Sequence, residues 1–496
     1  MSEVYLGKNY IDGQWGEHRK DFSSLNPATE EPVAWFPQTP AVEVRAAVNA
    51  AKVAQKKWRK VSRVLRGELL KKVAQLVEHE YFDRLCDAIS IETGKNYNES
   101  VAEVNEALHM AEYAWGCAKQ PYGEVIASEL ADKDAYMLRK PVGVVAIVSP
   151  WNFPVAIAGF WNAAPALVEG NTVVWKPSED TPMCAQIVTE LYERAGVPAG
   201  VFNLLHGDGE VGEALVQEDD VNVILFTGSA EVGQKIRMHC ASTFHKTCSC
   251  EMGSKSACLV FEDAWQNNPE MAVDACIASS FKLSGQRCVS SSRHLIQRSV
   301  YDEFCTEFSR RVTRIKTGPY TDDKSFYGPI INKAQLERVG HYNEIVRKDE
   351  NVEILNDGSF QGKGYFSLPF VYKTEWRDVP YLKDEVFGPH VALIPFDTVD
   401  DAIRIYNDTE YGLAVGILTN NHVIARQCRD ECEYGMCYWN GGSIAAESHL
   451  GFGGVKKSGN GYSSAARTYQ AVTHEVAWTV SHANNIQFPQ GMKANE

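Results

Sequence analysis

The chain has 496 residues, of which 44% are hydrophobic and 23% are charged. This length exceeds what a single hydrophobic core supports and predicts about three structural units, at roughly 150 residues each. The net charge of −15 opposes binding to polyanions, so neither nucleic acid nor an anionic membrane is expected as a partner. A small molecule is the expected ligand.

The N-terminal residues intersperse acidic and basic side chains and contain no basic segment followed by an apolar one. We therefore expect no secretory signal and predict a cytoplasmic protein. The 13 cysteines include no CxxC pair and no zinc-finger spacing. Three of them, Cys428, Cys432 and Cys437, form a cluster without an accompanying histidine, so we expect reduced thiols and no metal site.

Apolar residues recur every three or four positions over 41–80 and again over 81–113, which predicts amphipathic helices. The continuous apolar run VGVVAIVS at 142–149 predicts a strand buried on both faces. Strands and short helices then alternate, which indicates βαβ units and a doubly wound parallel sheet. Further strands are predicted at 172–175, 201–205, 221–226 and 257–261, and helices at 183–195, 211–216, 230–240 and 271–283.

The fold class predicted from this order is α/β, with two large domains. The first comprises residues 1–122 and 143–253 around a doubly wound parallel sheet, and the second α/β domain comprises residues 254–460. The polar, hairpin-like segment 123–142 and the C-terminal segment 470–496, with a strand at 472–480, are predicted to form a small β oligomerisation element. A homodimer or homotetramer is expected.

Seven short motifs follow one another along the chain. They are SPWNFP at 149–154, KPSE at 176–179, FTGS at 226–229, EMGS at 251–254, GQRC at 285–288, EVFGP at 385–389 and FGGVKKSG at 452–459. In this order they resemble the aldehyde dehydrogenase superfamily over nearly the whole chain. The resemblance implies that the first domain binds NAD, that the second is catalytic, and that an aldehyde is oxidised to a carboxylate. GQRC looks like members that act on amino-acid-derived semialdehydes of the aminoadipate or glutamate type.

The resemblance makes Cys288 the nucleophile, because a thiolate attacks a carbonyl far better than a hydroxyl does. The Asn152 amide and the Cys288 backbone N–H would hold the oxyanion, and Glu251 would activate the water that hydrolyses the thioester. The alternatives are an inert buried thiol, an asparagine that caps a turn and a solvated glutamate. Many relatives carry two glycines where this chain has Gly253 and Ser254.

For the cofactor, the resemblance places the NAD pyrophosphate beside Gly228, Ser229 and Gly233, at the N-terminus of the helix that follows FTGS. A literal GxGxxG sequence occurs at 207–212, but we expect its glycines to permit tight packing rather than to bind phosphate.

Lys176 and Glu179 would bind the adenosine ribose, and the Glu179 carboxylate favours NAD over NADP because it repels a 2′-phosphate. Glu385 would hold the nicotinamide ribose and Phe387 would pack near the ring. Trp151 would line the same site, although an ordinary core role is equally compatible with its apolar surroundings.

For the substrate, the Arg287 guanidinium could grip a terminal carboxylate bidentately, or could brace its loop by hydrogen bonds to the backbone. Glu103 could meet a substrate amino group, or could be a solvated glutamate on a helix face. Rival functions are a dehydrogenase of neutral aldehydes, an acylating enzyme in which coenzyme A replaces water, and a catalytically silent protein of this fold.

Overall fold

A computed structural model describes residues 5–488 and 490, except for the side chains of residues 462 and 463. Within this part of the chain, two seven-stranded sheets and three three-stranded sheets are combined with helices. The predicted α/β fold class, with parallel sheets, is confirmed.

The first large sheet contains five parallel strands, extended by an antiparallel pair at one edge. In spatial order the strands are Thr247–Glu251, Val223–Thr227, Val144–Val148, Thr172–Lys176, Phe202–Leu204, Tyr10–Ile11 and Gln14–Trp15. Val144–Val148 is the middle of the five parallel strands, and its alternate residues pack into different cores. Val145 and Ile147 pack into one apolar cluster, whereas Val144 and Ala146 pack into another. The continuous apolar run therefore reflects burial on both faces.

The second large sheet lies wholly within the C-terminal half of the chain. In spatial order its strands are Glu353–Asp357, Phe370–Lys373, His390–Phe396, Arg293–Gln297, Ala257–Val260, Ala414–Leu418 and Met436–Trp439. The edge strand Glu353–Asp357 is antiparallel and the others are parallel. The chain passes from the first sheet to the second between Glu251 and Ala257, the interval in which the sequence places the domain boundary.

Helices connect the strands of both sheets. Those before residue 254 are Ala41–Trp58, Arg63–Leu76, Phe82–Thr93, Tyr97–Cys117, Ala163–Glu169, Pro182–Ala195, Gly209–Gln217 and Ala230–Ala241. Those after it are Glu262–Asn267, Pro269–Phe281, Tyr301–Val312, Lys333–Arg347, Pro380–Lys383, Val399–Asn407, His422–Glu431 and Thr468–Ala471. Wider π-helical turns span Val77–Tyr81 and Ala156–Asn162, and 3₁₀ turns span Lys282–Gly285 and Arg298–Val300.

The two long helical patterns near the N-terminus are each interrupted, which the apolar spacing alone does not predict. The first breaks before Ser62, whose hydroxyl accepts from the Leu65 N–H and starts a new helix. The second breaks at Gly94, which adopts φ +73°. Asn96 then caps the following helix. Local caps and a left-handed residue override the periodicity at these points.

Two segments that are distant in sequence form one of the small sheets. The predicted hairpin consists of the strands Gly123–Ile126 and Lys133–Pro141. The C-terminal strand Thr473–Ser481 pairs antiparallel with Lys133–Pro141 along all nine residues. Another small sheet contains Tyr5–Leu6, Glu31–Phe36 and Phe22–Asn26. The third contains Tyr411–Gly412, Gly451–Lys456 and Gly461–Ala465. Among the described residues, no helix has both the length and the apolar composition needed to cross a bilayer.

Candidate active site

Four of the sequence motifs meet at one edge of the first large sheet. Its parallel strands end at Val148, Lys176, Thr227 and Glu251, and these strands are paired in register. SPWNFP, KPSE, FTGS and EMGS therefore follow the carboxyl ends of neighbouring strands. This edge is where open α/β sheets bind their ligands.

The loop that carries Cys288 has an unusual backbone. After the helix Pro269–Phe281, Leu283, Ser284 and Gly285 adopt φ values of +54°, +56° and +70°. Hydrogen bonds to neighbouring segments hold this left-handed backbone in place. The Leu283 N–H donates to Glu99 Oε1 at 2.8 Å, and the Ser284 hydroxyl donates to the Gly328 carbonyl at 2.7 Å. Non-glycine residues held in this region of backbone space are concentrated at functional sites.

This loop brings Cys288 to Asn152. The Asn152 Nδ2 donates to the Gln286 carbonyl at 3.0 Å, and the Asn152 Oδ1 has no hydrogen-bond partner among the described residues. An amide nitrogen carries two hydrogens, so a second donor remains for an oxyanion. The arrangement suits an oxyanion hole formed by a side-chain amide beside the nucleophile.

Two carboxylates act on the Cys288 thiol. Burial, followed by the negative charges of Glu385 and Glu251, raises the pKa of Cys288 to about 12. Glu251 is the last residue of its strand and is only 4% exposed. A thiol in this environment needs a base or a nearby positive charge before it attacks, and the neighbouring positive charge of Arg287 lowers the pKa of Cys288.

Glu385 approaches the sheet edge from EVFGP. Its Oε1 accepts from the Ser254 N–H at 2.7 Å, and a Cβ atom at Gly253 would lie 2.0 Å from its Oε2. Burial raises the pKa of Glu385 to about 7. The close approach explains why a glycine is needed at position 253.

The other candidate cofactor residues line the same edge. Lys176 Nζ lies 3.1 Å from Glu179 Oε2, and the Glu179 side chain is 46% exposed. The rings of Trp151 and Phe387 meet edge to face at 5.5 Å between centroids. Phe387 has φ +60°.

Ser229 caps the helix Ala230–Ala241 through the Val232 N–H. Gly228 bonds to the Glu251 carbonyl, and a Cβ at Gly233 would lie 2.4 Å from the sulfur of Met252. These glycines therefore allow the loop and the helix to pack against the Glu251 strand. The helix start leaves backbone N–H groups that suit a pyrophosphate.

The GxGxxG sequence has a different environment. The helix Gly209–Gln217 is capped by Asp208, whose carboxylate accepts from the Glu210 N–H. A negative side chain at this helix start repels phosphate. This observation supports the packing role expected from the sequence.

Arg287 lies among acidic side chains of the helix Tyr97–Cys117. It interacts electrostatically with Glu99, Glu106 and Glu103, and its guanidinium lies 5.3 Å from the ring centre of Phe153. Its Nε has no hydrogen-bond partner among the described residues. No hydrogen bond from this guanidinium to a loop carbonyl is found in the described structure, so the loop-bracing alternative gains no support.

Glu103 is neither solvated nor available to a ligand. It is 1% exposed; its Oε2 lies 2.5 Å from Lys95 Nζ, and its Oε1 accepts from the N–H groups of Val155 and Ala156. The expectation of a solvated glutamate is wrong, because the helix packs its acidic face against the loop after SPWNFP. These contacts favour a structural role over a substrate contact.

Sequence reasoning missed Glu106, one helical turn after Glu103. Glu106 is half-buried, and burial raises its pKa to about 7, while Arg287 lowers it. Its spacing from Glu103 in the AEVNE segment was the available signal, since residues three apart share a helix face.

Tyr438 interacts electrostatically with Cys288. Tyr438 also lines a cavity of about 550 Å³, together with Glu447, Phe452 and Arg467. The apolar and polar walls of this cavity suit a small organic substrate.

One group in the described part of the chain has the residue types and spacing of a metal site: Cys258, Cys276 and His294. All three are fully buried in the second domain. His294 Nε2 is hydrogen-bonded to Ser280, and the Cys258 thiol donates to Ser291. We interpret this group as a hydrogen-bonded part of the core.

Comparisons with known proteins agree with this geometry. The family model described as "Aldehyde dehydrogenase family" matches residues 15–477. A mitochondrial succinate-semialdehyde dehydrogenase of Oryza sativa subsp. japonica is 35% identical over 459 residues, which are 92% of this chain and 85% of that protein.

Solved structures match over nearly the full length. Betaine aldehyde dehydrogenase from Staphylococcus aureus, in complex with NAD+, has a TM-score of 0.92 and 28% identity, covering 98% of this chain and 97% of that one. An NAD-dependent aldehyde dehydrogenase from Sinorhizobium meliloti has a TM-score of 0.92 and 29% identity, covering 97% and 96%. The chain therefore belongs to the aldehyde dehydrogenase family.

Proposed function

We propose that the protein oxidises an aldehyde to a carboxylate with NAD, through a thioester on Cys288. The observation that carries this proposal is the position of Cys288 beside Asn152 and Glu251, at the carboxyl edge of the first sheet. The Staphylococcus aureus structure that matches most of the chain contains NAD+.

Each catalytic group has a distinct task. The Cys288 thiolate attacks the carbonyl carbon, while the Asn152 amide and the Cys288 N–H stabilise the developing oxyanion. NAD, when bound, accepts the hydride that leaves the thiohemiacetal carbon. Glu251 then takes a proton from water, and the resulting nucleophile hydrolyses the thioester and frees the thiol.

The residues at the sheet edge fit a dinucleotide. The helix after FTGS presents N–H groups to a pyrophosphate, and the half-exposed Glu179 can accept from ribose hydroxyls. Trp151 and Phe387, whose rings are in contact, offer an aromatic surface for the nicotinamide ring. NAD is proposed over NADP because a carboxylate at Glu179 repels a 2′-phosphate.

Replacement of Cys288 by Ala tests the proposal. NADH formation should disappear, whereas NAD binding measured by calorimetry should remain, because the sheet edge is unchanged. Substantial turnover by this variant would contradict the nucleophile assignment. Assays of the unaltered protein with and without coenzyme A test the acylating alternative. An acylating enzyme would form no more than one NADH per site with NAD alone and would turn over only when coenzyme A is added.

We propose further that the substrate is a semialdehyde with a carboxylate at its far end. The support is Arg287, which adjoins Cys288 in sequence, is half-buried and has an unpartnered Nε among the described residues. Burial raises the pKa of Glu99, and raises that of Glu106 to about 7, which weakens the negative charge that these two acids hold beside Arg287. A substrate carboxylate can then complete the charge balance.

The test is the Michaelis constant for succinate semialdehyde against that for a neutral aldehyde of similar length. Arg287→Gln should raise KM about tenfold or more for the charged substrate and little for the neutral one, as expected for a lost charge-assisted contact. Arg467→Gln is the matched control, because Arg467 is the arginine that lines the cavity beside Tyr438. A selective effect in Arg467→Gln alone would transfer the carboxylate site to that residue.

The domain assignments remain part of the proposal: residues 1–122 and 143–253 bind NAD, and residues 254–460 are catalytic. The element of residues 123–142 and 470–496 is proposed to join subunits into a homodimer or homotetramer; residues 489 and 491–496 lie outside the described residues, and its described part contains a three-stranded sheet. Its edge strand Gly123–Ile126 is exposed throughout, and Val125 and Trp478 are 80% and 54% exposed. Unpaired strand edges of this kind readily add another chain. Light scattering on Val125→Lys should show a smaller assembly than the unaltered protein.

All 13 cysteines are free thiols in the structure. We propose a reducing compartment, with the cytoplasm as the simplest choice, because oxidising compartments favour disulfides. Fractionation of the source cells tests this assignment.

A further inference from the structure

Ser254 is the last residue of the EMGS motif. It is 4% exposed and lies in the crossing from the first large sheet, which ends at Glu251, to the second, which begins at Ala257. A buried hydroxyl must find partners to offset its loss of water. One hydrogen-bond partner of the Ser254 hydroxyl belongs to Cys288.

The Ser254 hydroxyl donates to the backbone carbonyl of Cys288. A carbonyl oxygen only accepts, so this hydroxyl proton is committed and the Ser256 hydroxyl, 2.9 Å away, must donate to Ser254. The Ser256 oxygen in turn accepts from the Ala414 N–H at 3.3 Å. A chain of donors therefore runs in one direction, from a strand of the second sheet to the nucleophile, and each bond polarises the next.

Other side chains hold the neighbouring carbonyls of the same loop. Asn152 donates to the carbonyl of Gln286 at 3.0 Å, and the Ser443 hydroxyl donates to that of Val289 at 2.6 Å. The Cys288 N–H belongs to the peptide between residues 287 and 288. With the carbonyls on either side of that peptide held, its N–H has a fixed direction.

We propose that Ser254 is a positioning residue, whose hydroxyl fixes the Cys288 backbone so that the Cys288 N–H and the Asn152 amide converge on one oxyanion. This inference rests on the proposed function. It assigns Ser254 an effect on acylation and none on NAD binding. The backbone N–H of Ser254, which bonds to Glu385, is retained when only the side chain is changed.

The experiment is rapid-mixing measurement of the first NADH turnover, with succinate semialdehyde and propanal as probes. Ser254→Ala should slow this step about tenfold or more, since a misplacement of about 1 Å can cost as much as 10²-fold. The dissociation constant for NAD should change less than twofold. Ser254→Thr, which keeps the hydroxyl, should recover most of the rate.

Thr172→Val is the control. It removes a buried hydroxyl that donates to the Ala51 carbonyl at 3.0 Å, but at the opposite end of a sheet strand from the site. Thr172→Val should lower the free energy of unfolding about as much as Ser254→Ala does, and should leave the rate of the first turnover unchanged. Equal slowing in both variants would show that Ser254 contributes only to general stability. Should Ser254→Ala not fold, Ser254→Gly also removes the hydroxyl and is measured instead, with the same slowing expected.

A double-mutant comparison gives the sharpest test. If Ser254 acts through the oxyanion hole, Ser254→Ala should slow an Asn152→Ala protein less than twofold, because the shared function is already lost. Independent, multiplying effects would overturn the inference, as would an unaltered first turnover in Ser254→Ala. Absence of NADH formation by the unaltered protein would contradict the proposed function and this inference with it, so the two failures are distinguishable.

Discussion

Replacing Glu103 by Gln is expected to destabilise the protein without changing its choice of substrate. The Glu103 carboxylate is fully buried and holds Lys95 Nζ at 2.5 Å, while its other oxygen accepts from the N–H groups of Val155 and Ala156. A glutamine has one acceptor oxygen and one NH₂ group. If its oxygen keeps the backbone bonds, its NH₂ faces the Lys95 ammonium, and two donors oppose each other.

The magnitude follows from the geometry. At 2.5 Å the attraction between the two charges is about 7 kcal/mol with an effective dielectric constant of 20. Desolvation offsets part of it, but removal of one partner leaves the Lys95 charge buried and uncompensated. We therefore expect a loss of about 3–5 kcal/mol in the free energy of unfolding.

Urea denaturation of Glu103→Gln measures this loss, with Glu112→Gln as the control. Glu112 is exposed on the same helix, and its replacement should cost less than about 0.5 kcal/mol. The double variant Lys95→Met, Glu103→Gln should lose less than the sum of the two single changes, because no unpaired charge remains. Stability near that of the unaltered protein, together with a raised KM only for semialdehydes with an amino group, would refute the structural role.

Four further outcomes are expected. Glu251→Gln should give a burst of about one NADH per site followed by a stall, because acylation needs no activated water and hydrolysis does; steady turnover at the original rate would remove Glu251 from the mechanism. Glu179→Gln should improve the use of NADP relative to NAD in initial-rate assays, and an unchanged ratio would mean that another residue faces the 2′ position. Alkylation of Cys288 by iodoacetamide, followed by mass spectrometry, should accelerate steadily from pH 7 to 10, because burial raises the pKa of this thiol to about 12. Glu385→Gln removes one repelling carboxylate and should shift that profile to lower pH, whereas a shift to higher pH would contradict the placement of Glu385.

Much of the fold is determined locally and is therefore visible in the sequence. The apolar run at 142–149 contains the strand Val144–Val148, the middle of the five parallel strands of the first large sheet. The alternation of strands and helices after it contains the other four parallel strands. Burial on both faces leaves no room for polar residues, so such a strand has a pattern that no exposed segment shares. The motifs follow strand ends, which a parallel sheet brings to one edge.

Only the tertiary structure decided how distant charges and hydroxyls meet. The burial of Glu103 against Lys95, the acidic surroundings of Arg287 and the bond from Ser254 to Cys288 all join separate elements. Pairing of Lys133–Pro141 with Thr473–Ser481 likewise spans most of the chain. Helical and strand periodicities report which face of an element is apolar. They carry no information about which distant polar group satisfies a buried donor or charge, because that partner is selected by packing.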